Sequence, residues 1–250
     1  MPRALVRRPS PHLADGLVTH ISRQPLDVDL AGRQWDAYVA ALADAGWGIV
    51  EVPPAPDHPD SVFIEDTMVL WGDTAVIARP GAPERTGEVA AAADVIAGLG
   101  FRTVAITEPA TLDGGDVLKI DDTMYVGVGG RTTESACEQL AEHLDATVVP
   151  VPVSLVLHLK SAVTALPDGT VIGFPPLVDD PYAFDDFLPV PEESGAHVVV
   201  LDEHTVLMAA SAPATAELFR ERGLTVVTVD ISEYEKLEGC VTCLSVRLRD

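Results

Sequence analysis

Apolar and polar positions along this chain fall into short blocks, and the blocks recur in one order. Residues 3–6 read as a strand, and 9–27 as a loop containing Pro, Gly and His with one apolar touch at Leu17-Val18. Asp29 stands where it can cap a helix through about Ala45, because Trp35, Tyr38, Val39 and Leu42 lie at i, i+3, i+4 and i+7 and Gly46 stops the run. Ile49 to Val52 is strand, and the proline-rich 53–59 must be loop. Two apolar runs, 67–71 and 74–78, flank Gly72-Asp73 and predict a tight hairpin, followed by a helix over 84–97 and a strand at 102–106.

The same order returns. Residues 117–120 and 123–126 flank Asp121-Asp122, with a helix at about 132–144 turning Ala136, Cys137, Leu140 and Leu144 inward and a strand at 147–149. A third unit begins at His158-Leu159-Lys160 and turns at Pro167-Asp168-Gly169, with only a short helix. A fourth has strands at 198–201 and 205–208, a helix over about 213–222 and a strand at 224–229. The fifth is split: a last strand at 244–248 is completed by 3–6, the first helix and 49–52. A strand–turn–strand–helix–strand repeat of about 50 residues implies radial or solenoid stacking. The split unit favours a closed ring, which removes both exposed edges. The expected fold is therefore α/β, a five-bladed propeller of pseudo-fivefold repeats, with residues 1–250 forming a single domain.

The repeat brings distant chemistry together. Asp66, Asp113, His158 and Cys243 each stand at or just before the opening strand of a unit, separated by 113 − 66 = 47, 158 − 113 = 45 and 243 − 158 = 85 residues. In a ring, equivalent positions converge at one end of the axis, so two carboxylates, an imidazole and a thiol meet. A guanidinium is planar and charged, and its carbon is a poor electrophile. Two carboxylates hold its N–H forks, a thiolate is nucleophilic enough to add, and one histidine protonates the departing amine and then activates water. This set fits hydrolysis of an amidine-type C–N bond with no metal and no cofactor.

Composition narrows the field. Hydrophobic residues make up 47% of 250, enough for a sizeable core, and 39 acidic against 16 basic residues give a net charge of −23. That balance argues against nucleic acid and anionic membrane and suits a small cationic ligand. No apolar run approaches the roughly 18 residues of a spanning helix, and the first residues lack the apolar core of a signal peptide. Three cysteines, an odd count, argue against a disulfide framework. A cytoplasmic protein is the expectation; a homodimer stays open.

Taken singly, these residues have plainer readings. Cys243 suits a buried strand cysteine, and Cys240-x-x-Cys243 a redox pair or half a zinc site. His158, among Val156, Leu157 and Leu159, suits the core, and Asp113-Gly114-Gly115-Asp116 a simple turn. Arg85 at a helix N-terminus opposes the helix dipole, which favours a ligand role, and Arg131 is similarly placed.

The motifs Glu65-Asp66, Leu112-Asp113-Gly114-Gly115-Asp116, His158-Leu159-Lys160-Ser161 and Glu238-Gly239-Cys240-Val241-Thr242-Cys243-Leu244-Ser245 together resemble the dimethylarginine dimethylaminohydrolases of the guanidine-modifying pentein superfamily. The resemblance covers essentially the whole chain. It implies the five-bladed fold and hydrolysis of N-omega-methylated arginine to citrulline and a methylamine through a thiouronium on Cys243. It further implies that Asp66 and Asp113 hold the guanidinium, that His158 is acid and base, and that Arg85 and Arg131 hold the substrate carboxylate. Asp60 and Glu65 match polar substrate contacts, and Leu17, in a mobile lid, and Leu237 match backbone-carbonyl ligands of the alpha-amino group. Two departures stand out. Lys160 occupies a position that is acidic in relatives that deiminate arginine, which favours methylated substrates; position 113 is Asp where many relatives carry the longer Glu. Arginine deiminase or amidinotransferase is the nearest alternative, and a non-catalytic binder of cationic peptides the alternative from a different class.

Overall fold

The structure is a computed structural model describing residues 1–249. In the first unit β1 (Arg3–Val6) leads through a long loop to α1 (Val28–Asp44) and β2 (Gly48–Glu51). The second holds β3 (Met68–Trp71), β4 (Thr74–Ile77), α2 (Val89–Gly98) and β5 (Arg102–Ala105). The third holds β6 (Val117–Ile120), β7 (Thr123–Val128), α3 (Glu134–His143) and β8 (Thr147–Pro152). The fourth opens with the one-turn α4 (Leu159–Ala162), then β9 (Val163–Ala165), β10 (Val171–Gly173) and β11 (Phe187–Pro189), with two short 3-10 turns in place of a crossover helix. The fifth holds β12 (Val198–Val200), β13 (Thr205–Ala209), α5 (Pro213–Glu221) and β14 (Thr225–Val229), after which come α6 (Ser232–Glu235) and β15 (Val246–Leu248).

These strands make five three-stranded sheets, each an antiparallel pair extended by a parallel third strand. One sheet draws on both ends of the chain: β1 pairs antiparallel with β15 through Arg3–Leu248 and Leu5–Val246, and parallel with β2. In that sheet β15 takes the place that β3, β6, β9 and β12 take in the others. The core is distributed. One cluster joins Val69 of β3 to Val117 of β6, another Leu118 of β6 to Val163 of β9, and another Ile172 of β10 to Val198 of β12. Leu5 of β1 and Val246 of β15 pack with Met68 of β3, while Ala4 of β1 packs with Val199 of β12. Each cluster therefore lies between two sheets. None of the described helices is long and apolar enough to cross a membrane.

Local structure departs from expectation where side chains decide it. The first helix is capped by Asp27, whose carboxylate accepts from Leu30 N at 2.9 Å, not by Asp29, which falls in its first turn. Its buried stripe is Trp35, Tyr38 and Leu42, and Gly46 follows at φ +84°, a left-handed conformation that glycine adopts without strain. The helix expected from 84 begins as a 3-10 segment, Pro83–Glu88, wound around the buried Arg85. The terminal strand starts at Val246, so Cys243 lies on the turn ahead of it rather than at its edge.

Candidate active site

Four short approaches to strands converge. Asp66 precedes β3 in a 3-10 turn, Asp113 precedes β6, His158 precedes α4 and β9, and Cys243 precedes β15. Backbone and side-chain bonds fix the last of these turns. Cys243 N donates to Cys240 O at 3.2 Å, Glu65 N donates to Cys243 O at 3.2 Å, and Arg247 Nη1 donates to Thr242 O at 2.8 Å. A narrow cleft results, lined by Leu17, Asp60, Phe63, Asp66, Arg85, Arg131, Leu157, His158, Leu237, Glu238, Gly239 and Cys243. Its enclosed space is about 20 Å³, room for about one water.

A buried ion-pair network backs the cleft. Asp66 Oδ2 accepts from Arg85 Nη1 at 2.5 Å, Oδ1 accepts from Gly115 N at 2.8 Å, and the same oxygen lies 3.8 Å from His158 Nδ1. On the other side of the ring, His158 Nε2 is 3.0 Å from Asp113 Oδ2. Burial disfavours charge on His158, but Asp66, Asp116 and Asp113 outweigh it and push the imidazole up to about 9. Asp113 is likewise held below the usual carboxylate range against burial, by its bond to His158, the charges of His158 and Arg85, and Gly81 N. Asp66, Asp113 and His158 are also the residues that could ligate a metal, with ligand atoms within 4.8 Å of one another. Their oxygens, however, already accept from Arg85, Gly115 and Gly81. A glycine is required at 115: an added Cβ would sit 2.6 Å from both Asp66 Oδ1 and His158 Nδ1.

The cysteines form a pair, sulfur to sulfur at 3.4 Å. Two buried thiols this close hold one negative charge far more readily than two. The hydrogen bond from Cys243, acting against burial, brings Cys240 down to about 5. That same bond, together with burial and the Cys240 charge, pushes Cys243 well up, which favours its neutral thiol.

Several expected residues stand elsewhere than foreseen. Asp113 is fully buried behind His158 and does not line the cleft, so of the two acids only Asp66 faces it. Glu65 faces a separate cavity of about 680 Å³. Its Oε1 accepts from Lys160 Nζ at 2.6 Å and from Arg247 Nη2. Those two cations overcome burial and hold its carboxyl below the usual range. Lys160 lines that cavity too and is absent from the cleft lining. Arg85 lines the cleft but spends its guanidinium inward, on Asp66, Glu88 and the carbonyls of Asp60 and Phe63. Arg131 Nη1 lies 3.5 Å from Asp113 Oδ2 and donates no hydrogen bond among the described residues. Leu17 N donates to both oxygens of Asp60, at 3.2 and 3.0 Å, closing the first loop over the cleft. Phe63, Leu157, Glu238 and Gly239 were not foreseen. For Glu238 and Gly239 the motif around Cys243 was a signal; for Phe63 and Leu157, apolar residues beside Glu65 and His158, there was none.

Known proteins place this arrangement. The arginine deiminase family model matches residues 51–186. An N(G),N(G)-dimethylarginine dimethylaminohydrolase of Streptomyces coelicolor is 62% identical over 99% of this chain and 97% of its own length. The Pseudomonas aeruginosa protein of the same name is 32% identical over 97% of this chain and 98% of its own. A solved structure of the Pseudomonas aeruginosa protein, a cysteine-to-serine mutant complexed with citrulline, superposes with a TM-score of 0.91 at 30% identity, covering 98% of each chain. With this likeness running from end to end, the chain belongs to the dimethylarginine dimethylaminohydrolase family.

Proposed function

We propose that this protein hydrolyses N-omega-methylated L-arginine to L-citrulline and methylamine or dimethylamine. One observation carries the reading: His158 and Cys243 line a single cleft whose acidic wall, Asp66 and Asp60, suits a cation. The relatives' name and the citrulline in the solved structure agree with it.

Asp66 takes the guanidinium, and its arrival changes the charge balance around Cys243. The bond to Cys240, burial, and the charges of Cys240, Glu65 and Asp66 oppose a thiolate there, and a bound cation counters those charges. The thiol proton leaves to solvent and the thiolate adds to the guanidinium carbon. His158, still protonated at neutral pH because its proton is held to about pH 9, gives that proton to the departing dimethylamine. A thiouronium on Cys243 remains. Now neutral, His158 takes a proton from water, the hydroxide adds to the same carbon, and the C–S bond breaks to release citrulline. Asp113 orients His158 through Nε2. Arg131, whose Nη1 is ion-paired with Asp113 but makes no hydrogen bond among the described residues, takes the substrate carboxylate; Arg85 and Asp60 shape the wall, and the carbonyls of Leu17 and Leu237 take the alpha-amino group.

For the whole chain we infer a closed five-bladed wheel forming one domain. Its support is the chain of core clusters: each lies between successive sheets, and one lies between the last sheet and the first. A free amino acid as substrate suits a cytoplasmic enzyme. The decisive experiment incubates the protein with dimethylarginine and assays dimethylamine, with intact-mass detection of an adduct on Cys243. Cys243→Ser should keep the fold and lose turnover. Ammonia from unsubstituted arginine, with no amine from dimethylarginine, would instead mean a deiminase.

A further inference from the structure

The cleft is shut. About 20 Å³ cannot hold an amino acid of arginine's size, so the loop over it must move before a ligand binds. What holds that loop is the carboxylate of Glu238. Its Oε2 accepts from Thr19 N at 2.9 Å and Thr19 Oγ1 at 3.1 Å. Its Oε1 accepts from His20 N and from Ile21 N at 3.1 Å, with His20 Nδ1 at 3.6 Å. Three consecutive backbone donors of the loop thus point at one side chain, itself only 5% exposed.

The backbone at this position makes the glutamate more telling. Residue 238 follows α6 in the left-handed region, φ +60°, just after Leu237 N and just before Gly239 N both donate to Tyr234 O at 2.9 Å. Glycine takes this conformation freely after a helix, and a glutamate does not. Its side chain must offset the strain, and the loop contacts are what it makes. Both neighbours, Leu237 and Gly239, line the cleft with it.

We propose that Glu238 is a positioning residue that latches the loop 17–21 shut over the cleft. Breaking its bonds is the step that admits substrate, and remaking them holds the loop over the bound molecule. Asp60 holds Leu17 at the inner end of the same loop and Arg23 ties its outer end, donating to Ala14 O at 2.8 Å and Gly16 O at 2.6 Å. The middle of the loop depends on Glu238. This assignment rests on reading the cleft as the methylarginine site.

The test uses the full chain with Glu238→Gly, which suits the left-handed backbone and removes the carboxylate, and with Glu238→Gln, which keeps one acceptor oxygen. Amide hydrogen exchange at Thr19, His20 and Ile21 should speed by about tenfold or more in Glu238→Gly. In Glu238→Gln, one pair of donors should stay protected while the rest exchange fast. The KM for dimethylarginine should rise in Glu238→Gly by up to about tenfold, with kcat held within about threefold. Wild-type exchange at all three amides in Glu238→Gly overturns the latch, as does a fall in kcat alone. Failure of the wild-type protein to release amine would strike the methylarginine reading and leave the exchange result standing.

Discussion

Replacing Asp113 by Asn keeps the shape of the group behind His158 and removes its charge. The carboxylate oxygen lies 3.0 Å from Nε2 in a fully buried setting. An opposite charge this close moves a midpoint by about 1–3 pH units. Asp66 and Asp116 remain to hold the proton, so the lower end applies: His158 should fall from about 9 by about one pH unit. For an acid that must be protonated, that shrinks the active fraction at pH 9 from about one half to about one tenth and leaves pH 6 almost untouched. The stability effect has a definite sign. A histidine raised in the folded state stabilises fully below its unfolded value of about 6.5 and loses that stabilisation as pH rises through about 9. The variant should therefore be less stable at pH 6 by on the order of 1 kcal/mol, with the deficit shrinking as pH rises from about 8 through about 9. The assays are a ¹³C-histidine NMR titration of His158 and the pH profile of dimethylamine release. An unmoved midpoint near 9, with the rate lowered equally at every pH, would refute the electrostatic role and leave only an orienting one.

Other predictions follow from the same network. Arg85→Met strands Asp66 and Glu88 as buried anions and should cost about 3–5 kcal/mol in urea unfolding; a loss confined to substrate affinity would mean the guanidinium serves the ligand instead. Gly115→Ala puts a methyl 2.6 Å from Asp66 Oδ1 and His158 Nδ1 and should lower kcat by about 10²-fold, measured by amine release; wild-type kcat would show that the two groups yield freely. Cys240→Ala removes the bond and charge that raise Cys243, so the pH midpoint for Cys243 alkylation should fall, and a midpoint that stays or rises contradicts the pairing.

The repeat was legible because period-two strands and i, i+3, i+4 helical faces are local patterns, and Trp35, Tyr38 and Leu42 fall where the spacing puts them. The convergence of Asp66, His158 and Cys243 followed from the repeat alone. Reach and direction were not legible. Whether Asp113 meets a ligand or stops at His158 depends on one methylene and on the donor Gly81 N. Glu65 and Asp66 are adjacent, yet one faces the cleft and the other the larger cavity, because the 3-10 turn aims successive side chains apart. Arg85 looked uncompensated at a helix start because Asp66, its partner, is 19 residues away in sequence.

Pairing between β1 and β15 also has a temporal meaning. Arg3 cannot find Leu248 until the whole stretch between them has been made. At about 5–20 residues per second, the first strand of a nascent chain waits roughly 10–50 s for this neighbour. Cys243 arrives with that neighbour, so a chain made only as far as β14 carries the acids and the imidazole but no working sulfur. Ribosome-bound chains should be silent toward methylarginine, and reactivity should appear only when the tail swings back to the head.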